Sequence, residues 1–164
     1  SSLINENVPN TNVRVISGNV LTGTNISKNK FLGFYDNLIS VIPEGNHYTF
    51  LGWHPFIGNN KLSINRAFFS WLTPNKEYNL DTNLNGEERA FVVTGEMDKV
   101  MPMDIYPMEL LKATLANDIE KMENLGIYEV APEDFALVEF VSTSKIEAQE
   151  IIRRGLDLMV EEVG

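Results

Sequence analysis

Ile105-Tyr106-Pro107-Met108-Glu109-Leu110-Leu111-Lys112-Ala113-Thr114-Leu115 is the stretch that decides the fold class. Pro107 stands where a helix tolerates proline, because a first-turn residue has no intrahelical N–H bond to lose. Leu110, Leu111 and Leu115 then recur at helical spacing and predict a helix with one apolar face. Further along, Asn117-Asp118 predicts a cap for a second short helix containing Ile119, Met122 and Leu125, stopped at Gly126. Pro132-Glu133-Asp134 opens another, with Phe135, Leu137, Val138 and Val141 as its apolar set. Ser144 with Glu147 three positions on predicts a capping box for the last helix. That helix runs through Ile151, Ile152, Leu156, Leu158 and Met159 to an acidic end at Glu161-Glu162.

Upstream the grammar changes to strands and turns. Val13-Arg14-Val15-Ile16 alternates and stops at the turn signal Ser17-Gly18-Asn19, and a second turn follows at Leu21-Thr22-Gly23-Thr24-Asn25. Leu38-Ile39-Ser40-Val41-Ile42 is apolar and largely β-branched, punctuated by Pro43-Glu44-Gly45-Asn46. Tyr48-Thr49-Phe50-Leu51-Gly52-Trp53 predicts the returning strand of a hairpin, and Leu62-Ser63-Ile64-Asn65-Arg66-Ala67-Phe68 alternates again. Residues 73–85 are polar and rich in Asn and Pro, the expected linker. Arg89-Ala90-Phe91-Val92-Val93-Thr94-Gly95 predicts one more strand, as part of a leading hairpin. The expectation is therefore an α+β chain, a small antiparallel β domain over residues 1–82 and a helical domain over residues 83–164.

Composition bounds the function. The 164 residues, 43% hydrophobic and 10% aromatic, suffice for a packed core. The formal charge is −10, with no cationic stripe to displace the counterions of a nucleic acid or to seek an anionic leaflet. With no cysteine, disulfides, thiolate zinc sites, cysteine-held iron–sulfur clusters and thiol nucleophiles are excluded. No stretch reaches the roughly 18 to 20 uninterrupted apolar residues of a spanning helix. Ser1-Ser2-Leu3-Ile4-Asn5-Glu6-Asn7 lacks the basic and apolar regions of a signal peptide and reads as a cut inside a longer protein.

The residues that might carry chemistry are few. His47 and His54 are an odd number of positions apart and would face opposite sides of a strand, poor geometry for a shared metal. Met97, Met101, Met103 and Met108 lack the Cys or His that a soft-metal site brings, and read as filling for an irregular core. Glu133-Asp134 and Glu87-Glu88 are paired acids without evidence of a pocket, and acids at a helix start meet the helix dipole. No phosphate loop or nucleophile motif is present. The aromatic cluster around Trp53, His54 and Phe56, at an expected loop, is the candidate interface; the competing reading packs it against the small sheet.

Two groups of strings carry a resemblance. The first is Arg14-Val15-Ile16-Ser17-Gly18-Asn19-Val20-Leu21-Thr22-Gly23, with Tyr35-Asp36-Asn37-Leu38-Ile39-Ser40-Val41-Ile42-Pro43-Glu44-Gly45 and Phe50-Leu51-Gly52-Trp53. The second joins Asn85-Gly86, Arg89-Ala90 and Val100-Met101-Pro102-Met103-Asp104-Ile105 to Leu125-Gly126, Glu133-Asp134-Phe135-Ala136-Leu137 and Val141-Ser142-Thr143-Ser144-Lys145. From about residue 12 to the end, the chain resembles the C-terminal part of the A-subunit of the Na+-translocating NADH:quinone oxidoreductase. That resemblance implies a ubiquitin-like, soluble-ligand-binding β-grasp domain followed by a helical domain similar to the iron–sulfur domains of complex I and Rnf-type relatives. Placing the relatives' Cys-x-x-Cys-x-x-Cys-x-x-x-Cys-Pro on this chain puts ligand positions at Pro132, Phe135, Val138 and Ser142, and an upstream copy at Glu96, Lys99, Pro102 and Tyr106. None is a cysteine.

The resemblance further implies a complex that couples NADH oxidation and quinone reduction to sodium export, using flavins and iron–sulfur centres. No cofactor is expected in this stretch. Its expected partners are the remainder of the A-subunit and other subunits, among them the membrane-embedded B-subunit, on the cytoplasmic side of the bacterial inner membrane. A non-catalytic assembly module is the leading expectation. A module that holds quinone or another small ligand is the alternative. No catalytic residue carries over.

Overall fold

The computed structural model of the chain describes residues 12–26, 31–52, 54, 61 and 68–164. The expected alternating strand over residues 62–67 lies outside them. The chain forms two compact units, Ser1–Asn85 and Gly86–Gly164. A three-stranded antiparallel sheet in the first and four α-helices in the second give the α+β class.

The sheet consists of β1 (Val13–Ser17), β2 (Thr24–Asn25) and β3 (Ile39–Pro43) in the order β2-β1-β3. Ile16 pairs with Asn25 on one side and Ser40 on the other, which fixes the register of both ladders. β1 is central, and its Val15, Ile16 and Ser17 are buried. Asn19 folds the turn between β1 and β2, its Oδ1 accepting from the N–H groups of Leu21 and Thr22 at 2.8 and 2.9 Å. Gly23 closes it, donating to the Asn19 carbonyl at 2.9 Å. A Cβ on Gly23 would fall 2.4 Å from that oxygen and 2.5 Å from Ile16 Cγ2, so only glycine fits.

Among the described residues of the 48–53 stretch no strand forms. Gly52 N donates to Thr49 O at 3.0 Å, and Leu51 takes a left-handed φ of 52°, so the backbone turns where β propensity predicts extension. The polar 73–85 stretch is not a free linker either. Thr82 N donates to Pro43 O at 3.2 Å, Gly45 N to Thr82 Oγ1 at 2.8 Å and Asn83 Nδ2 to His47 O at 2.6 Å, which ties it back to the β3 end.

The second unit contains α1 (Pro107–Leu115), α2 (Ile119–Asn124), α3 (Ala136–Val141) and α4 (Ala148–Glu162). Asp118 caps α2 by accepting from Lys121 N at 3.2 Å, and Gly126 ends the segment at φ 85°. A 3-10 turn, Pro132–Phe135, leads into α3, with Asp134 Oδ2 accepting from Ala131 N at 2.8 Å. Leu110, Leu111, Met122, Ile127, Phe135, Val138 and Ile152 are fully buried in one core between these helices. Met97 and Met108 are buried with them, and Met101 and Met103 pack at its edge, so the methionines fill an irregular core.

Two expectations fail here. Residues 89–95 form no strand: Arg89 N donates instead to Ser144 O at 3.2 Å, and Val92 and Val93 stay exposed. Ser144 does not cap α4, because its hydroxyl donates to the Ala90 carbonyl at 2.9 Å and the helix starts at Ala148. The N-terminus of α4 is served from another helix, with Gln149 N donating to Glu139 Oε2 at 3.0 Å.

Candidate functional site

Of the three interface candidates, Trp53 and Phe56 lie outside the described residues. His54 is half-buried, and its N–H donates to Leu51 O at 2.8 Å, continuing the turn that Gly52 begins. Lys61 Nζ reaches the Gly52 carbonyl at 3.2 Å and braces the same turn. His47 lies far from the opposite-face strand geometry expected of it: its Nε2 approaches Asp81 Oδ2 at 3.8 Å. Among the described residues no group of three or more His, Cys, Asp or Glu side chains could hold a metal ion.

The downstream positions matched to cluster ligands, Pro132, Phe135, Val138 and Ser142, are all buried in the helical unit. A proline ring, a phenyl ring, an isopropyl group and a hydroxyl cannot ligate iron as thiolates do, so these residues do not fit a cluster. They fill volume instead. The upstream set behaves differently, since Lys99, Pro102 and Tyr106 are exposed and do not converge on an interior.

A depression on the helical unit is lined by Asn117, Ile119, Arg154, Asp157, Leu158, Glu161 and Glu162. Three carboxylates and a guanidinium around two half-buried aliphatic residues make a hydrated, charged rim. Elsewhere, Lys145 is held at φ 57°, and burial pushes its ammonium pKa down. The paired acids Glu133 and Asp134 have ordinary structural duties: Asp134 accepts from the Ala131 N–H, and Glu133 lies 3.6 Å from Arg153.

Among the described residues of the β unit, an exposed aromatic cluster that sequence patterning passes over lies in the loop of residues 31–36. Phe31, Phe34 and Tyr35 are 85%, 93% and 95% exposed. Phe34 and Tyr35 meet edge-to-face with ring centroids 5.0 Å apart. The loop is pinned beneath: the Ser17 hydroxyl donates to Asp36 Oδ2 and accepts from Gly33 N at 2.9 Å, and Asp36 N donates to Gly33 O at 3.1 Å. The sequence signal for it is the apolar run Phe31-Leu32-Gly33-Phe34-Tyr35, which has neither strand nor helix periodicity.

No family model matches the chain. Individual proteins do. It is 42% identical over 151 residues to the A-subunit of the Na(+)-translocating NADH-quinone reductase of Rhodopirellula baltica, covering 92% of this chain and 33% of that protein. The proteins of the same name from Hahella chejuensis and Vibrio atlanticus are 42% and 40% identical, again over 92% of this chain and 34% of their own lengths. The chain thus spans about a third of the length of the curated relatives it matches. Among the described residues no helix is long and apolar enough to cross a membrane. In sequence this chain is similar to about one third of the length of the A-subunits of the Na(+)-translocating NADH-quinone reductases.

Proposed function

We propose that the chain is a non-catalytic structural and assembly module, the C-terminal part of the A-subunit in a complex that couples NADH oxidation and quinone reduction to sodium export. The observation that carries this is the match itself: about 40% identity over 92% of the chain to proteins that all bear the same name. The chemistry agrees with it. The chain has no cysteine, and the downstream positions matched to cluster ligands are buried without a thiolate among them.

In this reading the first unit is a β-grasp module and the second a helical domain that keeps the iron–sulfur architecture without its iron. The module sits peripherally on the cytoplasmic side of the membrane. Its partners are the remainder of the A-subunit and neighbouring subunits such as the membrane-embedded B-subunit. Trp53, His54 and Phe56 supply one interface, and Trp53→Ala weakens assembly while the chain stays folded. A quinone-holding role gains no support from the carboxylate-rimmed depression, where an apolar ring would displace hydration from charges without compensating contacts.

The test removes the region matching this chain from the full-length A-subunit, co-expresses the other subunits, and purifies through a tag on one of them. Loss of the truncated A-subunit from the purified complex is expected. A complex of full composition that has lost only quinone turnover would instead mark this region as part of the catalytic machinery.

A further inference from the structure

We propose that the aromatic loop of residues 31–36 is the surface on which this chain docks against the part of the A-subunit polypeptide that lies outside the matched third. The inference rests on the assembly reading above and names both the surface and its occupant.

The loop is built to present side chains. Ser17, buried at the end of the central strand, bonds both Gly33 and Asp36, so the backbone is fixed from below. Phe31, Phe34 and Tyr35 project from this anchored base, each at least 85% exposed. The only charge in the segment, Asp36, is engaged by the Ser17 hydroxyl, which leaves the outward surface apolar. Soluble chains rarely leave a contiguous apolar patch of more than a few hundred Å² uncovered.

Area selects the occupant. An aromatic side chain buries about 150–250 Å², so three offer roughly 450–750 Å². A stable interface between free proteins takes about 800 Å² from each partner, and the loop falls short of that. Interfaces between domains of one chain are smaller and begin near 600 Å² in total. A covalent tether also raises the effective concentration to about millimolar, so a modest patch is enough. The relatives supply such a tethered partner, since about two thirds of each lies outside the match. A lipid surface fits less well, because a chain of charge −10 is repelled by anionic headgroups.

The test is hydroxyl-radical footprinting of Phe31, Phe34 and Tyr35, read by mass spectrometry in the 164-residue chain and in the full-length A-subunit that contains it. Oxidation should be at least about fivefold slower in the full-length protein, as buried sites are protected relative to open ones. Phe34→Ser with Tyr35→Ser should leave the melting temperature of the 164-residue chain unchanged. The same pair should speed proteolytic clipping of the full-length protein at least about fivefold, by opening the contact. Equal oxidation rates in the short chain and the full-length protein would overturn the proposal. So would protection that appears only when other subunits are added, or only with lipid vesicles. Co-purification with the other subunits is followed on the same samples: normal assembly with an unprotected loop sinks the docking surface alone. The deletion experiment judges the assembly reading separately.

Discussion

Gly155 of α4 lies so close to Thr114 of α1 that a Cβ on the glycine would stand 2.7 Å from Thr114 Cγ2 and 3.3 Å from its Oγ1. Both residues are buried, and the Thr114 hydroxyl donates back to the Leu110 carbonyl at 2.9 Å, which restrains its rotamer. Gly155→Ala therefore sets two effects against each other. The helix gains about 1 kcal/mol in propensity. Forcing a methyl into a filled contact costs about 1–3 kcal/mol. Overpacking is expected to win by about 1 kcal/mol, seen as a lower melting temperature. Thr114→Ser in the same background removes Cγ2 and should restore most of the loss. If it restores none, the limit is the backbone separation of the two helices and not the methyl contact.

The parts of the fold that are legible in the sequence are those set by neighbours along the chain. Pro107 at a helix start, Asp118 as a cap and Gly126 as a stop each act within a few residues, and each appears in the structure where its chemistry places it. β1 and β3 are legible for the same reason, their β-branched runs being cut by Gly18 and Pro43. What is not legible depends on distant partners. Ser144 and Glu147 form a plausible capping box, yet the serine hydroxyl is taken by Ala90, 54 positions away. Val92 and Val93 favour a strand, but Arg89 bonds to Ser144 and no strand forms. The site divides likewise. His54 lies in a turn, whereas the run holding Phe31, Phe34 and Tyr35 has neither strand nor helix periodicity, so only the folded chain shows that these rings face outward.

Ser142 has a buried hydroxyl that meets no hydrogen-bond partner among the described residues. An unsatisfied buried hydroxyl costs about 1–3 kcal/mol of desolvation. Ser142→Ala removes the oxygen and leaves a void too small to matter by comparison. The variant should be as stable as the parent or more stable by about 1 kcal/mol, measured by denaturant midpoint. A loss of more than about 1 kcal/mol would mean that the hydroxyl is bonded after all.

Phe135 has no exposed surface and sits where the 3-10 turn Pro132–Phe135 passes into α3, a turn that packs against α4. Phe135→Ala leaves a cavity that the surrounding helices cannot close and should cost about 3–5 kcal/mol. Phe135→Leu keeps most of the volume and should cost less than about 2 kcal/mol. The comparison is made on the helical circular-dichroism transition. Equal losses for the two variants would show that the ring's shape matters at this position and its volume does not.

Arg14 and Glu44 join β1 to the end of β3 through two charge-assisted bonds, Nε to Oε2 at 3.0 Å and Nη2 to Oε1 at 2.6 Å. The hydrogen bond from Arg14 is the main reason that the Glu44 carboxyl is held below its ordinary 4.5. A carboxyl whose pKa is lower in the folded chain binds its proton more readily when unfolded. Its contribution to stability is therefore complete above pH 4.5 and fades as pH falls through the depressed folded value. Both side chains are about a third exposed, at 36% and 32%, so solvent and salt screen the pair and its contribution is small. Arg14→Ala should lower the melting temperature slightly and by a constant amount at neutral pH. The gap to the parent chain should close on acidification below pH 4.5, and added salt should narrow it at neutral pH. A gap that persists undiminished in acid would assign the effect of Arg14 to the packing of its aliphatic stem and not to its charge.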